Sequence, residues 1–145
     1  THFRHDPEDP TSLSHDIVGT LHEDRQGRLW VTTPLRGLNL LDRETGTFTR
    51  FGYDADDPSS LASNYVSALV EDPDGSLWIG TWGSGICRFN PESGNFTHYR
   101  HDPADPLSLG SDRVFSILED RAGYLWVGTA DRLNRFDRRK LFSSR

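Results

Sequence analysis

The side chains with the greatest chemical reach in this sequence are few. Trp82 stands between Thr81 and Gly83, where an exposed indole could stack on the apolar face of a sugar ring or anchor a partner. Arg36 and Arg132 fall at comparable places, and a guanidinium fork bonds hydroxyls and carboxylates. Asp16, Asn64 and Asp112 recur at a fixed interval. Together they could form a polar ring for a cation or for sugar hydroxyls, or each could cap its own turn. His2-x-x-His5 and His98-x-x-His101 have the look of ligand pairs. On a strand, however, residues i and i+3 point to opposite faces, and the corresponding middle segment has Arg50 and Tyr53. Asp6 and Asp9 lack the alternating acids and trailing Glu of a calcium loop, so Asx turns at the Asp-Pro steps are expected instead. His15 or His22 could act as a base. No nucleophile–base pair and no Gly-x-Ser-x-Gly elbow accompanies them. The expectation is no catalytic residue, no metal site and no cofactor.

Composition narrows the setting. The chain has 145 residues, a formal charge of −6 and 34% hydrophobic residues. That suits one modest core-forming unit. An acidic balance argues against general nucleic-acid binding, which needs a basic footprint. No stretch is long and apolar enough to span a membrane. Methionine is absent, position 1 included, as expected of a processed product or a piece of a longer chain. A single cysteine, Cys87, excludes an internal disulfide and a cysteine-based zinc cluster. Of the 22 acids, 16 are Asp, a residue that favours turns over helices. The basic end from Arg135 to Arg145 reads as a solvated edge or a linker.

These residues are positioned by an internal repeat. Thr1, Thr49 and Thr97 open three segments, 1–48, 49–96 and 97–145, and 13 of the first 33 positions agree in all three. In the middle copy, 65–70 and 76–80 read as strands around the turn Glu71-Asp72-Pro73-Asp74-Gly75. A loose connection, 81–85, leads to a third strand at 86–89. Asn90-Pro91-Glu92-Ser93-Gly94 turns the chain into a fourth, 95–99. Four short antiparallel strands per ~40–50 residues is the arithmetic of a β-propeller blade. The fold class predicted is therefore all-β: three four-stranded antiparallel repeats of 48 residues, forming a partial ring or one completed by association. Blades are expected over about 16–51, 64–99 and 112–142, the last with a weak fourth strand near Leu141-Phe142. Residues 1–4 should supply a fourth strand to a blade they do not follow in sequence. Trp30, Trp78 and Trp126 share one blade position and should pack between sheets. In such a ring the fourth-strand linkers (6–13, 54–61, 102–109) and the second-to-third-strand connections (33–37, 81–85, 129–132) lie on one face. The Glu-Asp turns lie on the other.

The copies resemble the two-component regulator propeller repeat. The match is carried by Asp9-Pro10-Thr11-Ser12-Leu13, Val18, Glu23-Asp24, Gly27, Leu29-Trp30-Val31-Thr32-Thr33, Gly37-Leu38, Leu41-Asp42 and Thr45-Gly46-Thr47-Phe48, and by their counterparts in the other copies. The first copy departs at Thr32-Thr33-Pro34 and the third at Ala130-Asp131-Arg132. The resemblance implies a periplasmic or extracellular propeller segment of a bacterial hybrid or sensor histidine kinase, sensing an oligosaccharide or other small ligand without catalysis. A fragment of a lyase- or hydrolase-like propeller and a protein-interaction scaffold are the alternatives. The candidate ligand residues are Trp82, Arg36, Arg132, Asp16, Asn64 and Asp112. Two raw flanks imply head-to-tail self-association, with a dimer favoured, or the missing blades of a longer chain.

Overall fold

The computed structural model describes residues 1–143; Ser144 and Arg145, the end of the third repeat, lie outside them. The first sheet comprises β1 (Leu21–Glu23), β2 (Leu29–Thr33), β3 (Gly37–Asp42) and β4 (Thr47–Phe51). The second comprises β5 (Val66–Glu71), β6 (Leu77–Thr81), β7 (Ile86–Asn90) and β8 (Asn95–Tyr99). Strands within each are paired antiparallel in chain order. In the third sheet, β9 (Val114–Glu119), β10 (Tyr124–Thr129) and β11 (Leu133–Asp137) form three strands only, and the chain continues into α1 (Arg138–Ser143).

The third repeat thus departs from the four-strand expectation, and its sheet ends at Asp137 rather than near 142. The reason is local. In the first two sheets the third and fourth strands are joined by a turn closed from Gly46 N–H to Asp42 O and from Gly94 N–H to Asn90 O, both at 2.8 Å. Both glycines take the left-handed conformation, φ 73° and 75°, which side chains resist. After Asp137 the sequence runs Arg138-Arg139-Lys140-Leu141-Phe142 with no glycine. The Asp137 carboxylate accepts the Arg139 N–H at 3.1 Å and starts a helix, as an N-cap does. Leu141 and Phe142 fall within α1.

The sheets stack face to face. Trp30 and Trp78 are fully buried, each covering the sheet that follows its own. Trp30 meets Phe51 and Phe89 at 5.8 and 5.3 Å, in a core with Leu61, Leu77 and Ile79. Trp78 packs with Val114, Leu125 and Val127 of the third sheet. Trp126 is the exception to the expected packing. Its neighbours in sequence, Leu125 and Val127, point into the core. Trp126 points the other way, half-buried, under the Arg135 guanidinium at 5.8 Å. All three indoles are held alike: Nε1 donates to Asp24, Asp72 and Asp120 at 2.9, 2.9 and 2.8 Å. The Glu-Asp-x-x-Gly-x-Leu-Trp run is therefore a turn whose aspartate anchors the tryptophan six residues on. Cys87 is buried in the core between the first two sheets, and burial pushes its thiol up to about 11.

Candidate functional site

The β6–β7 connection carrying Trp82 is pinned at every step. Thr81 Oγ1 donates to Gly85 O at 2.8 Å and accepts the Ser84 N–H at 3.0 Å. Trp82 N–H donates to Tyr65 O at 2.9 Å, while Gly83 and Gly85 N–H donate to Asp112 O at 3.1 and 2.8 Å. In the first sheet Gly37 N–H reaches Asn64 O at 2.9 Å. These two connections are thereby tied to the entrance of the next blade, which places connections and linkers on one face.

Trp82 is 48% exposed and does not fold back over its own sheet. Its ring meets Phe115 of β9 edge-on, centroids 4.4 Å apart, and the Arg113 guanidinium lies 5.8 Å from its centre. A backbone bridge joins Trp82 to Arg113. Tyr65 and Phe115 are likewise about half exposed. The result is an aromatic ledge of Tyr65, Trp82 and Phe115 with one cation, spread over the second and third sheets. Such a surface offers π-faces and an ion-pairing fork to a ligand.

Asp16, Asn64 and Asp112 do a shared job in the backbone. Their Oδ1 atoms accept the N–H of His5, Tyr53 and His101 at 2.7, 2.8 and 2.6 Å, fastening each linker to the blade it enters. Asn64 and Asp112 lie next to Tyr65 and Arg113 in sequence, so these two adjoin the ledge. Arg36 belongs to the tip of the first sheet, where its N–H donates to Thr33 O at 3.1 Å. Arg132 is paired with Asp131 at 2.6 Å. Neither has a contact with Trp82 among the described residues. Tyr65, Arg113 and Phe115 were not singled out in the sequence, yet a signal was there. Phe115 replaces Gly19 and Ser67 of the other copies, and Trp82 replaces Pro34 and Ala130. Bulky residues at otherwise small repeat positions mark where one copy differs in its surface.

The remaining candidates, His22 apart, are taken up in structural bonds. His98 Nε2 bonds Ser60 O at 2.6 Å and His101 Nδ1 bonds Leu109 O at 2.6 Å, so the two rings address different linkers. His15 Nδ1 accepts Ile17 N–H at 2.9 Å, and His22 Nε2 is buried without a partner. The linker aspartates accept Asx-turn bonds, as Asp9 does from Thr11 N–H at 2.9 Å. On the opposite face, Arg25 faces Glu71 at 3.5 Å, and Arg138 joins Asp72 at 2.7 Å and Glu119 at 3.4 Å. Burial, helped by the Asp72 charge, raises the Glu119 carboxyl above its ordinary value.

Repeated antiparallel sheets, two of four strands and one of three, each packed face to face on the next, define a β-propeller segment. A family model described as the two component regulator propeller matches residues 12–34, 60–83 and 108–131. The chain belongs to that family. Among solved structures it is similar to the extracellular domain assigned to a hybrid two component system, BT3049, of Bacteroides thetaiotaomicron, with a TM-score of 0.81, 23% identity and 95% of the chain covered. A structural genomics protein of unknown function from the same organism aligns at a TM-score of 0.61, 15% identity and 85% coverage. The chain spans 19% of the first and 36% of the second. A search of curated proteins finds no match. Among the described residues no helix is long and apolar enough to cross a membrane.

Proposed function

We propose that this chain is part of a non-catalytic, ligand-sensing propeller in the periplasmic or extracellular portion of a bacterial two-component sensor. Its ligand is an oligosaccharide or another small molecule bearing hydroxyls, seated on the face of the Tyr65–Trp82–Phe115 ledge. The observation that carries this reading is the half-exposed Trp82, held edge-on to Phe115 beside Arg113. A monomer leaves so much aromatic surface open mainly where something binds. Further support comes from the family match and from the extracellular sensor domain that shares the fold. Against the enzyme alternative, His15 Nδ1 is taken up by the Ile17 N–H at 2.9 Å, and the family match is to a sensor propeller. The ring is completed by further blades.

A panel of neutral and acidic oligosaccharides, screened by tryptophan fluorescence and calorimetry, tests the proposal. Trp82→Ala is expected to weaken binding of any hit by at least about tenfold, the loss of one good stacking anchor. Its melting temperature should stay close to that of the parent. Binding unchanged in Trp82→Ala, or a ligand located on the Glu71–Arg25 face, would remove the ledge from consideration.

A further inference from the structure

We propose that the sugar seated on the ledge carries an anionic group, a carboxylate or a sulfate ester, and that Arg113 is the residue that selects it. This narrows the sugar-binding reading of the ledge, on which it rests, to acidic sugars. The first observation is how arginines are paired across the two faces. Towards the Glu-Asp turns, Arg25, Arg28, Arg43, Arg88 and Arg138 each face a carboxylate at 2.6–3.5 Å. On the connection face, Arg113 makes no ion pair and no side-chain hydrogen bond among the described residues. Its charge is the one held against the aromatic ledge without an opposite charge of its own.

Arg113 is also a built feature. It occupies the blade-entrance position where the other repeats have Ile17 and Tyr65, both exposed side chains without charge. Its backbone is fixed at three points. The N–H donates to Ser111 Oγ at 3.2 Å, the carbonyl accepts the Ala130 N–H at 3.0 Å, and the residue pairs with Trp82 across the two sheets. The side chain is exposed and its guanidinium is drawn 5.8 Å from the centre of the Trp82 ring. An aromatic contact engages π-faces and leaves the in-plane N–H donors of a guanidinium available. Asp112, its neighbour in sequence, gives Oδ1 to the His101 N–H at 2.6 Å instead. The fork is thus held in place beforehand with its donors unspent, which lowers the ordering cost of binding.

Magnitudes decide which ligand suits such a group. A sugar ring stacked on Trp82 takes water away from the adjacent guanidinium. A hydroxyl returns an ordinary hydrogen bond for that lost hydration. A carboxylate or sulfate returns charge-assisted bonds, roughly twice as strong, and accepts two parallel N–H donors of the fork at once. Covering a cation without an opposite charge is costly. The ledge therefore favours an acidic sugar over its neutral counterpart, with Trp82 reading the ring and Arg113 reading the charge.

Calorimetric titration of the complete propeller that contains this chain tests the assignment. The probes are a panel of uronic-acid tetrasaccharides, each beside its carboxyl-reduced neutral form and a sulfated version of that neutral form. The tightest acidic member should bind at least about tenfold better than its carboxyl-reduced partner, and the stronger of the carboxylated and sulfated forms identifies the group. Arg113→Gln should bring acidic and neutral forms to within about twofold of each other. Its melting temperature should match the parent's, because the side chain is exposed and the three anchors are backbone groups. Arg113→Lys keeps the charge without the fork and should retain only part of the preference. Trp82→Ala should weaken acidic and neutral forms alike. A panel in which no acidic member binds, or in which acidic and neutral forms bind equally, overturns the proposal. So does a preference that survives in Arg113→Gln. Neutral sugars that bind equally well and are weakened by Trp82→Ala would leave the ledge reading standing while this one falls. A preference lost in Arg113→Gln but untouched by Trp82→Ala would uphold Arg113 as the anion site and remove stacking on the ledge.

Discussion

Trp78→Ala is expected to cost about 3–5 kcal/mol of folding stability, the usual result of emptying a buried aromatic site. Trp126→Ala should cost only about 1–2 kcal/mol, reflecting partial burial and one hydrogen bond. The two tryptophans occupy the same repeat position and make the same bond to an aspartate at 2.9 and 2.8 Å. They differ in what lies beyond. Trp78 is sealed by Val114, Leu125 and Val127 of the following sheet and by Leu109 of the linker before it, and its ring meets Tyr99 at 5.6 Å. Trp126 is half-buried, with the Arg135 guanidinium 5.8 Å from its ring centre. Denaturant unfolding of both variants measures the difference directly. Equal losses would mean that Trp126 is as well covered as Trp78.

The repeat was legible because it is written in residue types with strong local meaning. Asp-Pro steps make Asx turns, Asp-x-x-Gly closes a hairpin, and Leu-Trp-Val places an aromatic between sheets. These local rules gave the strands and the blade order. They failed where the outcome depends on what is missing or on what lies across a sheet boundary. The fourth strand of the third blade was expected near Leu141-Phe142, yet without a glycine at the turn Asp137 caps a helix instead. Asp16, Asn64 and Asp112 read equally as a polar ring or as turn caps from their types alone. Only the linker's return path shows them accepting the N–H of a residue 11 positions earlier. Trp82 was visible as the odd tryptophan. Its partners were not, because Arg113 and Phe115 belong to the next repeat and reach it through a bridge between sheets.

Asp24→Asn is expected to lower stability by about 2–3 kcal/mol at neutral pH, since it removes the charge from several charge-assisted bonds in a buried place. Asp24 is 4% exposed. Its carboxylate accepts from Trp30 Nε1 at 2.9 Å, from Arg28 Nε at 2.6 Å, and from the N–H of Gln26 and Arg28 at 2.9 Å each. Burial alone would raise this carboxyl; the bonds from Trp30 and Arg28 outweigh it and hold it below its ordinary value. A group depressed in the folded state adds stability that is fully present above the unfolded value of about 3.9 and fades as pH falls through the folded one. The gap between parent and Asp24→Asn should therefore be constant above about pH 5 and close below about pH 4. Glu119 has the opposite sign. Its carboxyl is raised in the folded state, so its ionised form weakens the fold at neutral pH, and acid relieves that cost as the group takes up its proton. Glu119→Gln should accordingly match or exceed the parent at neutral pH, with Arg138 still held by Asp72 at 2.7 Å, and lose that advantage on acidification. Melting temperatures of the three proteins between pH 3 and pH 7 test both slopes at once. A pH-independent gap for Asp24→Asn would show that shape and packing, rather than the carboxylate's charge, hold the Trp30 turn.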